Sequence, residues 1–187
     1  MYLGVMTLRP KGALWWAGWR ATQEAGAEAP GGVAEVGGTG HADIYFALTR
    51  QRVQNAGVRA CHAVDWPRAG AAIRLDEVAF PVGAVAHRHV HAGSGWRHLV
   101  AGALRVETAE AAAIKRPGDL WFEPADTPVR AVAQHDTGVT RFVRCMVIAP
   151  EHIGRSTFQL CDAGDADLPR LQVTHRHVDQ EVQFEAG

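Results

Sequence analysis

From about Val58 onward the chain is a series of short apolar runs broken by turn residues. Residues 72–80, 85–91, 97–100, 103–108, 112–115, 120–123, 129–133 and 140–148 are rich in Val, Ile, Leu, Phe and Trp, and each reads as a strand. Gly83, Gly93, Gly95, Gly102, Pro117-Gly118 and Gly138 punctuate them. Eight short strands at this spacing predict an all-β sandwich or barrel, not a fold of alternating strands and helices.

The first part of the chain is patterned differently. Trp15, Trp16 and Trp19 crowd residues 1–26, which read as an arm packed on the domain or on a second subunit, with a substrate lid as the alternative. Residues 26–40 hold Gly31-Gly32 and Gly37-Gly38-Thr39-Gly40 and read as a loop or tether. In residues 43–55, Ile44, Leu48 and Gln51 share a helical face and Gly57 offers a stop, which predicts a short helix. The expected organisation is therefore an N-terminal arm, loop and helix over 1–57, a strand-rich domain over 58–148, and an extension over 149–187 packed on it. Edge strands are expected at 171–174 and 181–184.

Composition narrows the classes of function. At 187 residues the chain supports one full core, and its formal net charge of −1 gives no basis for nucleic acid or a membrane surface as partner. No apolar stretch is long enough for a membrane span, and the N-terminal apolar patch is too short and interrupted for a signal peptide. Cys61, Cys145 and Cys161 form no spaced cluster, so they read as small buried hydrophobes in a reducing compartment, the cytoplasm.

The chemistry concentrates in His87-Arg88-His89-Val90-His91. Side chains two apart on a strand share a face, so His87, His89 and His91 are expected to point the same way. On an inner face they make a metal site, and on an outer face a wet surface. Paired imidazoles suit Fe, Mn, Ni, Cu or Zn. By parity Arg97 and Leu99 point inward and His98 outward. A buried Arg97 requires a carboxylate, supplied by an anionic ligand or by Glu107, Glu123 or Asp119.

Residues 83–102 resemble the first motif of the cupins, G-x5-H-x-H-x3-E-x6-G: Gly83, His89-Val90-His91 and Gly102 match, and Gly95 replaces the glutamate. A shifted alignment makes His87 and His89 the pair. The second motif, G-x5-P-x-G-x2-H-x3-N, is resembled from Gly118: Pro124 matches, Asp126 stands at the usual glycine, and Val129 stands at the histidine. The resemblance covers about residues 70–148. It implies a cupin-type double-stranded β-helix (jelly-roll) barrel, preceded by a partly irregular N-terminal arm.

What the resemblance implies for function is a small metal-dependent enzyme acting on a small oxygenated or carboxylate-bearing molecule, with dioxygenase chemistry (an oxidoreductase) first and isomerase or lyase chemistry next. A divalent ion, Fe, Mn, Ni or Zn, is expected on His89 and His91, completed by His87 or His135, while Arg97 and Trp121 contact the substrate. The alternative is a non-catalytic small-molecule-binding or sensor cupin with little or no metal, which the missing glutamate and histidine favour. The expected partners are a small-molecule substrate and a second copy of the chain in a homodimer. His175 and His177 repeat the spacing but read as surface.

Overall fold

The computed structural model describes residues 1–22, 26–66, 70–135 and 138–183. The N-terminal strands are β1 (Tyr2–Met6), β2 (Trp15–Ala21), β3 (Gly32–Val36), β4 (Ile44–Thr49) and β5 (Val58–Ala63). They pair in the order β3-β2-β4-β1-β5. There follow β6 (Ala71–Phe80), β7 (Val85–His91), β8 (Gly93–Ala101), β9 (Leu104–Glu107), β10 (Ala112–Lys115), β11 (Leu120–Glu123), β12 (Val129–Ala133), β13 (Thr140–Ile148), β14 (Phe158–Leu160) and β15 (Val173–Val182). These divide into a middle sheet, β11-β8-β13-β6-β15, and an outer sheet, β10-β9-β12-β7-β14.

The alternation of side chains along β6 and β13 sets the layering. Ile73, Leu75, Val143, Cys145 and Val147 pack with Leu3, Val5, Trp15, Trp19 and Phe46 of the N-terminal sheet. Val78, Phe80 and Phe142 face the other way and join Leu99, Leu104, Val106, Val129 and Ala131. The middle sheet is thus covered on both faces, and every residue of β6 and β13 is buried. Charges on those two strands must find partners there. Arg74 meets Asp179 at 3.0 Å, Asp76 meets Arg144 at 2.8 Å, and Glu77 meets Arg141.

Two expectations are corrected. The chain is all-β, but among the described residues no sheet closes into a barrel: all three five-stranded sheets are open. Closure needs the edges β11 and β15 to hydrogen-bond to the edges β10 and β14, and the chain instead crosses between the two sheets without pairing. The irregular N-terminal arm is in fact a sheet. Trp15 and Trp19 do pack on the domain, but as strand residues, whereas Trp16 faces the other side of the N-terminal sheet beside Tyr45, and Gly32 lies beneath Trp19, where a Cβ would sit 2.3 Å from the indole.

The helix expected over 43–55 is also absent, because β4 occupies the centre of the N-terminal sheet. Ile44, Phe46 and Leu48 face one core while Tyr45 and Ala47 face another. A strand buried on both sides is a continuous apolar run, and its periodicity does not separate it from a buried helix. The two edge strands expected near the C-terminus are the single strand β15, and residue 184 lies outside the described residues. Among the described residues no helix is long and apolar enough to cross a membrane.

Candidate functional site

A cavity of about 480 Å³ opens between the middle and outer sheets. Its apolar wall includes Val78, Leu104, Val106, Val129 and Phe142, and His89, His91 and Thr157 stand on its polar side. Arg74, Arg97, Arg144, Arg170 and Arg176 also line it, against a single lining carboxylate among the described residues, Glu123.

His89 and His91 are buried on β7, but His87 does not join them. Val129 pairs with His89 while Ala131 pairs with Ala86, so β7 carries one extra residue between Ala86 and His89. This bulge resets the alternation: Ala86, His89 and His91 face the cavity, and His87 is turned toward Pro169, whose carbonyl lies 3.3 Å from its Nε2. His135 lies beyond the end of β12 and is exposed. Neither residue completes a shell.

The hydrogen bonds fix the two imidazoles. Nδ1 of His89 lies 2.7 Å from the His87 carbonyl, which only accepts, so His89 carries its proton there and offers a lone pair at Nε2. Nε2 of His91 receives Nη1 of Arg144, a donor only, at 3.1 Å, and its Nδ1 bonds Thr157 Oγ1 at 3.3 Å. The two Nε2 lone pairs therefore face each other across 3.2 Å. Burial, together with the positive charges of Arg144 and Arg97, brings His89 down to about 4 and holds His91 well below the usual histidine range, so both rings are neutral at pH 7.

This geometry does not fit a resident divalent metal, and the expected metal-dependent function, its dioxygenase chemistry and its Fe, Mn, Ni or Zn ion are corrected. Among the described residues no group of three or more His, Cys, Asp or Glu side chains is placed to hold an ion. Two imidazoles alone converge, and the guanidinium of Arg144 takes the position beside His91 where a third donor is needed. At Gly95 there is no room for a carboxylate: a Cβ would lie 2.1 Å from the Cys145 carbonyl oxygen. Val129, cross-strand from His89, contributes only apolar wall. Asp126 keeps the backbone of the glycine it replaces, at φ 56°.

Arg97 and Trp121 both line the cavity. Arg97 is fully buried, donates to the Gly95 carbonyl at 2.7 Å, and pairs with Glu123 at 2.7 Å. Trp121 donates its Nε1–H to the same carboxylate at 2.8 Å. Among the described residues, Arg74 Nη1 and Gln172 Oε1, both on cavity-lining residues, are buried without a hydrogen-bond partner. His89 stacks on Phe158, with centroids 4.2 Å apart, and the Arg170 guanidinium sits 5.8 Å from the same ring.

Sequence reasoning missed most of the arginines. Arg74 and Arg144 share strand parity with Val78 and Phe142, a period-two signal that marks them as inward. Arg170, Gln172, Thr174 and Arg176 alternate along an extended stretch and all reach the cavity. His98, expected outside, is part-buried because the N-terminal sheet covers that face, and burial brings it down to about 4. His177 is drawn to Glu77 on the neighbouring strand of the same sheet at 3.3 Å, and His175 bonds the Ala27 carbonyl at 2.8 Å, which ties β15 to the N-terminal part of the chain.

No known family model and no curated protein sequence matches the chain. Among solved structures it is similar to a cupin-superfamily protein from Desulfitobacterium hafniense, at 14% identity over 46% of this chain and 74% of that one, with a TM-score of 0.36. An RmlC-like cupin from Shewanella frigidimarina is similar at 19% identity over 46% and 84%, with a TM-score of 0.36. The polyketide cyclase RemF from Streptomyces resistomycificus is similar at 17% identity over 57% and 75%, with a TM-score of 0.38. At these identities and TM-scores nothing of those proteins' activities transfers to this chain.

Proposed function

We propose that the protein is a non-catalytic binding module for a small organic anion with an apolar body. The observation that carries this reading is the charge around the cavity. Among the described residues, five arginines (Arg74, Arg97, Arg144, Arg170 and Arg176) are set against three carboxylates (Glu123, Asp76 and Asp179), an excess of two positive charges beside neutral histidines. An anion offsets that excess, while the Val, Leu and Phe wall rewards a hydrophobic body. The volume lies within the range of small-molecule pockets.

Calorimetric titration with benzoate, phenylacetate and a matched neutral amide, in EDTA and at low salt, tests the reading. The carboxylates should bind with micromolar to millimolar affinity that weakens as salt rises, and the amide should not. Equal binding of amide and carboxylate refutes it. The free thiols of Cys61 and Cys161 support a cytoplasmic setting, and a homodimer is part of the same proposal.

A further inference from the structure

The facing lone pairs of His89 and His91 ask for something an anion alone does not provide. Two acceptors 3.2 Å apart, with Arg144 already donating to one of them, leave His89 Nε2 without a donor among the described residues. Gln172 Oε1, a second acceptor on a cavity-lining residue, is unmet in the same way. Arg74 Nη1 is the complementary case, a buried donor with no acceptor. Arg74 Nη1 and Gln172 Oε1 are closed off from the cavity space itself, so the unmet group a ligand can meet there is the His89 Nε2 acceptor.

We infer that the ligand is a hydroxycarboxylate, whose carboxylate meets the arginines and whose hydroxyl donates its one hydrogen to Nε2 of His89, the specificity-determining residue. The inference rests on the anion-binding reading above and names the class of anion. A hydroxyl fits better than an ammonium as donor, because the surroundings already carry surplus positive charge. Phe158 places the two ends in reach of one small molecule: His89 stacks on its ring and Arg170 packs over it. A site built around a buried acceptor rejects an analogue that lacks the donor, since binding then seals the acceptor away unpaired.

The test compares matched pairs by calorimetry on the full chain in EDTA at pH 7.5: mandelate against phenylacetate, and 3-hydroxybenzoate against benzoate. In at least one pair the hydroxylated member should bind at least about tenfold more tightly. His89→Leu should erase the difference while leaving the deoxy acid bound, and His89→Gln, which keeps an acceptor, should retain part of it. Equal affinities within both pairs on the unmodified protein overturn the inference and leave the anion reading standing. Failure of all four acids to bind overturns both. The comparison on the unmodified protein decides the matter even where a histidine variant fails to fold.

Discussion

Arg97 and Glu123 meet at 2.7 Å on the cavity wall, the guanidinium fully buried and the carboxylate only slightly exposed. Burial lowers Arg97 to about 10, with Glu123 opposing the shift, so the arginine remains a cation at neutral pH and needs its partner. The other oxygen of Glu123 takes the Trp121 indole N–H. The carboxylate therefore does structural work and also tempers the positive field that a ligand meets.

Glu123→Gln separates these roles. The amide keeps an acceptor for Trp121 but leaves Arg97 as an unpaired buried charge, which costs about 3–5 kcal/mol. Urea unfolding should show that loss. Affinity for benzoate should meanwhile rise by about tenfold, worth about 1.4 kcal/mol, because one local negative charge is gone. An unchanged unfolding midpoint means that the ion pair is not what stabilises this wall.

Acid should weaken the fold before the carboxylates titrate. The unfolded chain takes up protons on its histidines as pH falls through about 6.5, whereas folded His89 waits until about 4. Across that window the unfolded state binds more protons, so stability declines as pH drops and is fully retained only above it. His89 alone accounts for about 3 kcal/mol, and His91 and His98 act in the same direction. Glu77 adds a later loss. Burial works against its charge, but hydrogen bonds from His177 and the Gly31 N–H, with Arg141 beside it, hold it below the usual carboxylate range, and that contribution goes as pH falls further. Urea unfolding at pH 7.5 and pH 5 should differ markedly, and the difference should shrink in His89→Leu.

The strands from β6 to β13 were legible because each is short, apolar and closed by glycine or proline, and the structure adjusts mainly the length of β8. The N-terminal sheet was not. Its central strand, β4, is buried on both faces and loses the alternation that identifies a half-exposed strand. Parity placed His89, His91 and Arg97 correctly in the cavity and failed at His87, where the extra residue of β7 breaks the count. No spacing rule announces such a bulge. The other expected ligand, His135, failed for a different reason: β12 ends at Ala133, two residues short of it, so the parity counted along that strand does not reach it.

Gly95 should tolerate no side chain at all. A Cβ there would lie 2.1 Å from the Cys145 carbonyl oxygen and 2.8 Å from the Met146 Cα, and both are backbone atoms that cannot swing away. Gly95→Ala should cost about 3 kcal/mol or more through displacement of β8 from β13 in a tightly packed core. Gly95→Glu should not create a metal site, because the strand must move before the carboxylate can point anywhere. Zinc titration of any folded Gly95→Glu protein checks this, and stoichiometric retention after dialysis would contradict it.

Arg170 offers a cleaner test of the anion site than the buried arginines do. Arg74, Arg97 and Arg144 each hold a carboxylate, so removing any of them strands a buried charge and confounds binding with folding. Arg170 is exposed and packs over Phe158, while still lining the cavity. Loss of such a contact costs the fold about 0.5–1 kcal/mol at most. Arg170→Ala should therefore leave the unfolding midpoint nearly unchanged and weaken benzoate binding several-fold. The salt dependence of the remaining affinity should also become shallower, since one cation no longer attracts the ligand. Unchanged affinity and unchanged salt slope would place the anion elsewhere in the cavity, away from Phe158.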